Sequence, residues 1–192
     1  SRSQTGSATR ITVPNLPTTI GWNSGDVTPS GYLYLYVGGS SRIYVVDINP
    51  SRATYLELVD PSTGYSLQTS NFGMPTTGVG INDWAYNPAD GLLYTVNTSK
   101  QVVTFNATTG VSTVGGTVAA PLVSGHQFGS VYFQGGNLVV FDNTTGGYYV
   151  VDPIALTAVS IGSSGGNFAN DGASNPSGAF LGTFDTDATP NT

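Results

Sequence analysis

The sequence predicts an all-β protein, a β-propeller built from four-stranded antiparallel blades. Three observations carry that expectation: a recurring pattern of short alternating strands, turn residues at matching places, and a shortage of charge. Lys, Arg, Asp and Glu make up 8% of the 192 residues, against 26 glycines, 11 prolines and 11 tyrosines. Ordinary soluble domains carry about 25% charged residues. The strong helix formers Glu, Lys, Gln and Arg are nearly absent, so amphipathic helices have little to form from.

Three stretches align with one another. In the first, Asp26 to Val37 and Arg42 to Asp47 are separated by a Gly/Ser-rich turn. The second runs from Ala85 to Val96 and from Gln101 to Asn106, and the third from Ser130 to Phe141 and from Gly147 to Asp152. Each is followed by a further apolar-rich run: Ala53 to Val59, Val111 to Val118 and Leu156 to Ile161. Every unit therefore reads as strands A, B, C and D. The A–B turns carry Pro29-Ser30-Gly31, Asn87 to Gly91 and Gln134-Gly135-Gly136, residues that set or permit the dihedrals of a chain reversal. Gly31, Gly91 and Gly136 are spaced by 60 and 45 residues, a blade-sized period.

A fourth copy lies near the C-terminus, where Asn170 to Thr186 aligns with Asn82 to Thr98. It supplies strands A and B. Thr5 to Val13 resembles the end of the second unit and reads as an orphan D strand. The expected arrangement is a single domain with units at 26–59, 82–118 and 129–162, and a last blade of 169–187 completed by 5–14. Such a strand closes a ring and removes open sheet edges. The alternatives are the C-terminal part of a six- or seven-bladed propeller, or a sandwich.

Asn82-Asp-Trp-Ala-Tyr-Asn-Pro-Ala-Asp-Gly-Leu-Leu-Tyr94 resembles the blade motif of a propeller-like repeat family of secreted bacterial and fungal surface proteins. Tyr149 to Asp152 and Asn170-Asp-Gly-Ala173 are similar to its pattern, and the likeness covers most of residues 20–180. Where that family commonly has a cysteine after its final motif, this chain has Ser174-Asn175. The resemblance implies a fold and an extracellular setting. It carries over no catalytic residues.

Composition narrows the functions. The absence of cysteine excludes disulfide scaffolds and thiol chemistry. A net charge of −6 opposes nucleic acid and anionic lipid, which recruit basic patches. No run approaches the 18 or so apolar residues of a membrane span, so no membrane insertion is expected. A chain opening on Ser1-Arg2-Ser3-Gln4 is expected to be a mature or excised piece of a longer protein. A lysine-poor, Ser/Thr/Asn-rich surface fits a secreted or cell-surface protein, and three sequons at Asn97, Asn106 and Asn143 are candidate glycosylation sites.

Groups for catalysis are scarce. A Ser-His-Asp arrangement requires the lone histidine, His126, which the sequence reads more simply as bonded to loop backbone. Asp83 and Asp171 occupy equivalent positions and are the candidate carboxylate pair for glycoside hydrolysis, or else accept backbone hydrogen bonds. With Asn82 and Asn170 they form a candidate structural Ca²⁺ site at one mouth of the channel, and the near absence of His and Cys disfavours a transition metal. Asp47, Asn106 and Asp152 recur at the ends of C strands and read as turn caps. The connector 60–80 carries Tyr65, Phe72 and Met74, a candidate ligand-binding loop. Tyr32, Tyr34 and Tyr36 alternate with Leu33 and Leu35, a row that in an isolated sheet would suggest a sugar- or protein-binding stripe and between packed blades is expected to fill the core; Trp22 and Trp84 are expected between blades.

The resulting expectation is a non-catalytic extracellular module for adhesion, matrix or filament assembly. Its partners would be glycans, other surface proteins or further copies of itself. The alternatives are a lectin-like propeller and a secreted glycoside hydrolase or lyase.

Overall fold

The computed structural model describes residues 12–16, 22–37, 43–64, 66, 80–134 and 136–165. Three antiparallel sheets follow one another along the chain. Blade 1 contains β1 (Trp22–Val27), β2 (Tyr32–Val37) and β3 (Ile43–Asp47), in that order. Blade 2 contains β4 (Ala85–Asn87), β5 (Leu92–Val96), β6 (Gln101–Asn106) and β7 (Ser112–Thr117). Blade 3 contains β8 (Phe128–Gln134), β9 (Asn137–Asp142), β10 (Gly147–Asp152) and β11 (Thr157–Ser163). Each is a meander in which sequential strands pair, as tight turns require.

The A strands are innermost: β1 touches β4, and β4 touches β8. The D strands β7 and β11 lie outermost and are largely exposed. Gly31, Gly91 and Gly136 all adopt positive φ, at 83°, 75° and 84°. That left-handed backbone is where glycine avoids the Cβ clash other residues meet.

Strand alternation sends one row of side chains to each neighbouring blade. In β2, Tyr34 and Tyr36 join a cluster with Ile43, Trp84, Leu93 and Phe105, while Leu33 and Leu35 pack on the opposite face with Tyr44 and Val46. Within the first cluster Trp84 lies 5.8 Å from Tyr36 and stacks on Phe105 at 6.0 Å. A second cluster, with Val96, Phe128, Val131, Leu138 and Val140, joins blades 2 and 3. Burying each such side chain contributes about 1.5–3 kcal/mol, so the sheets are held by their faces. Trp22 sits on the far side of blade 1, edge-on to Tyr44 at 5.3 Å. That face also packs against Val13 and Leu16.

Blade 1 differs from expectation at both ends. Its inner strand starts at Trp22 rather than Asp26, because Asn23-Ser24-Gly25 carries no apolar alternation to announce a strand. Its fourth strand shrinks to a fragment. Backbone bonds join Asp47 N–H to Glu57 O and Val59 N–H to Val45 O, but Ala53 to Leu56 form a turn. The cause is the buried Asp47 carboxylate, which accepts from Asn49 N–H, the Arg52 guanidinium and the Thr54 hydroxyl and gathers residues 49–54 into a loop. The last expected blade, 169–187 with 5–14, falls almost wholly outside the described residues.

Candidate functional site

Most carboxylates and Asx amides of the described chain hold backbone. Five segments share one five-residue turn: Asp60–Gly64, Asn87–Gly91, Asn106–Gly110, Asp142–Gly146 and Asp152–Leu156. In each, the first side chain accepts the N–H two residues on, at 2.8–3.1 Å. In each, the fifth residue has positive φ and donates its N–H to the carbonyl of the first. An Asx side chain mimics a backbone acceptor in this geometry, and glycine supplies the left-handed closing residue. Leu156 closes the last turn without glycine, at φ 58°.

Two further aspartates join blades. Asp26 Oδ2 accepts Tyr86 N–H of β4 at 2.6 Å, linking blade 1 to blade 2. Asp83 Oδ2 accepts Val131 N–H of β8 at 2.6 Å, linking blade 2 to blade 3. Both are buried, Asp83 completely. Each bond satisfies a backbone N–H that would otherwise be buried without an acceptor. Asp83 therefore does not stand at an open channel mouth. It is sealed between blades, and Asn82 beside it is half-buried. Asn170 and Asp171, its expected partners in a carboxylate pair or a Ca²⁺ site, lie outside the described residues, as do Tyr65, Phe72 and Met74.

His126 is bonded to a side chain rather than to loop backbone. Its Nδ1 lies 2.6 Å from Asp142 Oδ2, the carboxylate that also accepts Thr144 N–H, Thr145 N–H and the Thr145 hydroxyl. Burial pushes the Asp142 pKa up, but the bonds from His126, Thr144 and Thr145 outweigh it and hold it below the ordinary 3.8. The pair ties the start of blade 3 to the end of β9.

The sequon asparagines also serve turns. Asn97 is 7% exposed, its Oδ1 accepts Gln101 N–H, and its Nδ2 donates to Gln101 Oε1 at 3.1 Å. A glycan on that nitrogen requires the turn to open. Asn106 Oδ1 accepts Thr108 and Thr109 N–H, and Asn143 lies over Gly129; both are half-buried.

One cleft opens where blades 1 and 2 meet, with a volume of about 240 Å³. Thr28, Ser30, Tyr32 and Tyr34 form one wall, Tyr86 and Thr108 the other, and Pro61 an edge. The two A–B turns and the C–D turn of blade 2 meet here. The buried Tyr34 hydroxyl donates to Ala107 O across the junction. Burial, then the neighbouring Tyr32, Tyr86 and Asp60, raise the Tyr34 pKa far above that of an ordinary phenol. The Arg52 guanidinium lies 4.4 Å from the Tyr32 ring centroid, is paired with Asp47 at 3.1 Å, and donates to Ser30 O. After Val59 the chain turns at 60–64 and brings Pro61 and Gly64 beside Tyr32.

Residues 3–177 match a family described as a repeat of unknown function, DUF6923. The chain belongs to the DUF6923 family. No curated protein matches this DUF6923 chain by sequence. Among solved structures it is similar to an auxiliary nutrient binding protein from Bacteroides ovatus, with 13% identity and a TM-score of 0.53 over 78% of this chain and 34% of that one. It is also similar to a chain of the nidogen/laminin complex, with 15% identity and a TM-score of 0.50 over 78% of this chain and 49% of that one. The WD40 repeats of RRP9 match at 13% identity and a TM-score of 0.48, over 82% of this chain and 44% of that one. At such identities the likeness to the first two concerns fold alone: the sheets of this DUF6923 chain match blades of larger β-propellers. The chain spans about a third to a half of the length of these proteins.

Sequence reasoning placed the tyrosines of β2 in the core and missed the cleft. Tyr32 opens β2, Tyr86 lies in β4 and Thr108 in the turn after β6, and no spacing in the DUF6923 repeat brings them together. The signal that was available is the alternation Tyr32, Tyr34, Tyr36, whose first member stands at the strand end, where the packed face runs out.

Proposed function

We propose that this chain is a non-catalytic extracellular propeller module, used for adhesion or assembly at a cell surface. The observation that carries the reading is the employment of its carboxylates. Asp26, Asp47, Asp83, Asp142 and Asp152 each accept backbone N–H groups, and three of them are buried below 2% exposure. A general acid or base has to exchange protons with substrate, and these groups are held where their charge maintains turns and blade junctions. The His126–Asp142 pair has the same structural use. A rigid ring that displays turns suits recognition by shape and hydrogen bonding.

The proposal includes closure as a four-bladed ring, with 169–187 and 5–14 forming the last blade. The packing of Val13 and Leu16 on the far side of blade 1 supports it, since a last blade would stand there. The second reading, a stretch of a larger propeller, is favoured by the size of the proteins whose blades this chain matches.

The test combines two measurements on the purified chain. Sedimentation velocity over a concentration series should show a compact monomer if the ring closes, and association through the end blades if it does not. Assays against glycosides, uronides and peptides should show no turnover. Turnover abolished by His126→Ala or Asp142→Asn would overturn the non-catalytic reading.

A further inference from the structure

We propose that the cleft between blades 1 and 2 binds a neutral, hydroxyl-rich ligand, one ring of an extracellular oligosaccharide. The assignment rests on the reading of the chain as an extracellular binding module and names the ligand class and the site.

The chemistry of the walls decides the class. Thr28, Ser30, Tyr32, Tyr34, Tyr86 and Thr108 contribute hydroxyls, and none of the lining side chains carries a charge. A hydroxyl donates and accepts, so such a wall matches a ligand that does the same. Some of these hydroxyls are occupied: Thr28 bonds Ser30, and Tyr34 bonds Ala107 O. Among the described residues, no hydrogen bond engages the hydroxyls of Tyr32, Tyr86 or Thr108, which leaves three polar contacts around one opening. Tyrosine adds a flat apolar ring beside its polar tip, as a sugar ring with an apolar face requires.

Electrostatics exclude the acidic alternatives. Asp60 acts on Tyr34 and Asp90 on Tyr86, each adding to the upward pull of burial on the phenol. The surroundings are therefore negative. Among the described residues the cation nearest the cleft, Arg52, is already paired with Asp47 and lies against the Tyr32 ring. A phosphate or uronate would meet repulsion with no compensating donor of positive charge. Volume sets the size. About 240 Å³ is smaller than the roughly 300–1,000 Å³ of ordinary small-molecule pockets, so the cleft takes one ring while the rest of the chain runs over the surface.

The site is held ready. The Tyr34–Ala107 bond and the Asp26–Tyr86 bond fix the two walls relative to each other before any ligand arrives. Such preorganisation reduces the entropy lost on binding.

The experiment is calorimetric or ligand-observed NMR titration of the whole chain with cellotetraose, mannotetraose, galactotetraose and tetragalacturonate. At least one neutral tetrasaccharide should bind saturably, with Kd near or below about 1 mM. Tetragalacturonate should bind at least about tenfold more weakly. Tyr86→Phe and Tyr32→Phe keep the rings and the fold, and each should weaken binding by about fivefold, the value of one hydrogen bond. Failure of every neutral sugar to bind, equal binding of tetragalacturonate, or unchanged affinity in both variants would overturn the assignment. The two readings fail differently. Loss of sugar binding with surface adhesion intact removes the cleft assignment alone, whereas cleavage of a bound tetrasaccharide removes the non-catalytic reading.

Discussion

Asp83 and Asp142 show how individual residues in this chain use their charge. Asp83 is buried and its carboxylate holds Val131 N–H of the next blade. Replacement by alanine leaves that amide without its acceptor, a loss of about 1–3 kcal/mol, and thermal denaturation should show a clearly lower Tm. Asp83→Asn keeps an acceptor oxygen and should recover part of the loss. Asp142 adds a pH signature. Its folded pKa lies below the ordinary 3.8, so the stabilisation it contributes is complete above that value. It disappears as pH falls through the depressed folded value, when the carboxylate takes up a proton. Melting curves between about pH 2 and 5 should therefore fall more steeply for the native chain than for Asp142→Asn. Equal slopes would mean that the carboxylate is not a source of acid sensitivity. These assignments were half legible. The recurrence of Asp47, Asn106 and Asp152 at strand ends announced turn caps, since an Asx turn is local chemistry. The partners of Asp26 and Asp83 were hidden, because they lie 60 and 48 residues away.

Among the elements, the strands of blades 2 and 3 followed their apolar alternation closely, and blade 1 did not. The run 53–59 is as apolar as its counterparts, yet the Asp47 carboxylate, with Arg52 and Thr54 bound to it, folds most of it into a loop. A local pattern lost to a buried carboxylate and the groups it gathers. The blade junctions rest on aromatic packing, with Trp84 between Tyr36 and Phe105. Its indole N–H is buried with no hydrogen-bond partner among the described residues. Trp84→Phe keeps a ring in the stack and removes that polar group, so it should change stability by less than about 1.5 kcal/mol. Trp84→Ala opens a cavity at the junction and should cost about 3–5 kcal/mol. Urea denaturation measures both, and similar values for the two variants would show that the stack is not what joins blades 1 and 2.

For the molecule as a whole, the two outer faces of the blade array matter most. Leu33, Leu35, Tyr44 and Val46 form an apolar face on blade 1 that Val13 and Leu16 cover. On blade 3, Val139 and Phe141 alternate with the residues that pack on blade 2 and are themselves buried, with Tyr148 against Phe141 at 4.6 Å. In the proposed ring the last blade would stand against both faces. The double variant Val13→Asp, Leu16→Asp should strip the cover from blade 1, lower Tm and promote concentration-dependent association, read by sedimentation. An unchanged monomer with unchanged Tm would count against ring closure through the N-terminal segment.

By itself the sequence determined the all-β class, the repeat, the turns and the two-sided packing of the strands. These follow from interactions within a few residues: alternation, Asx and glycine turn chemistry, and a shortage of charge that excludes helices. Tertiary structure alone decided which blade face meets which, where Asp26 and Asp83 reach, that His126 pairs with Asp142, and that three turns enclose a cleft. Those depend on how one sheet stacks against the next. That geometry is set by the summed packing of Trp84, Phe105, Phe128 and their neighbours, and no local spacing encodes it.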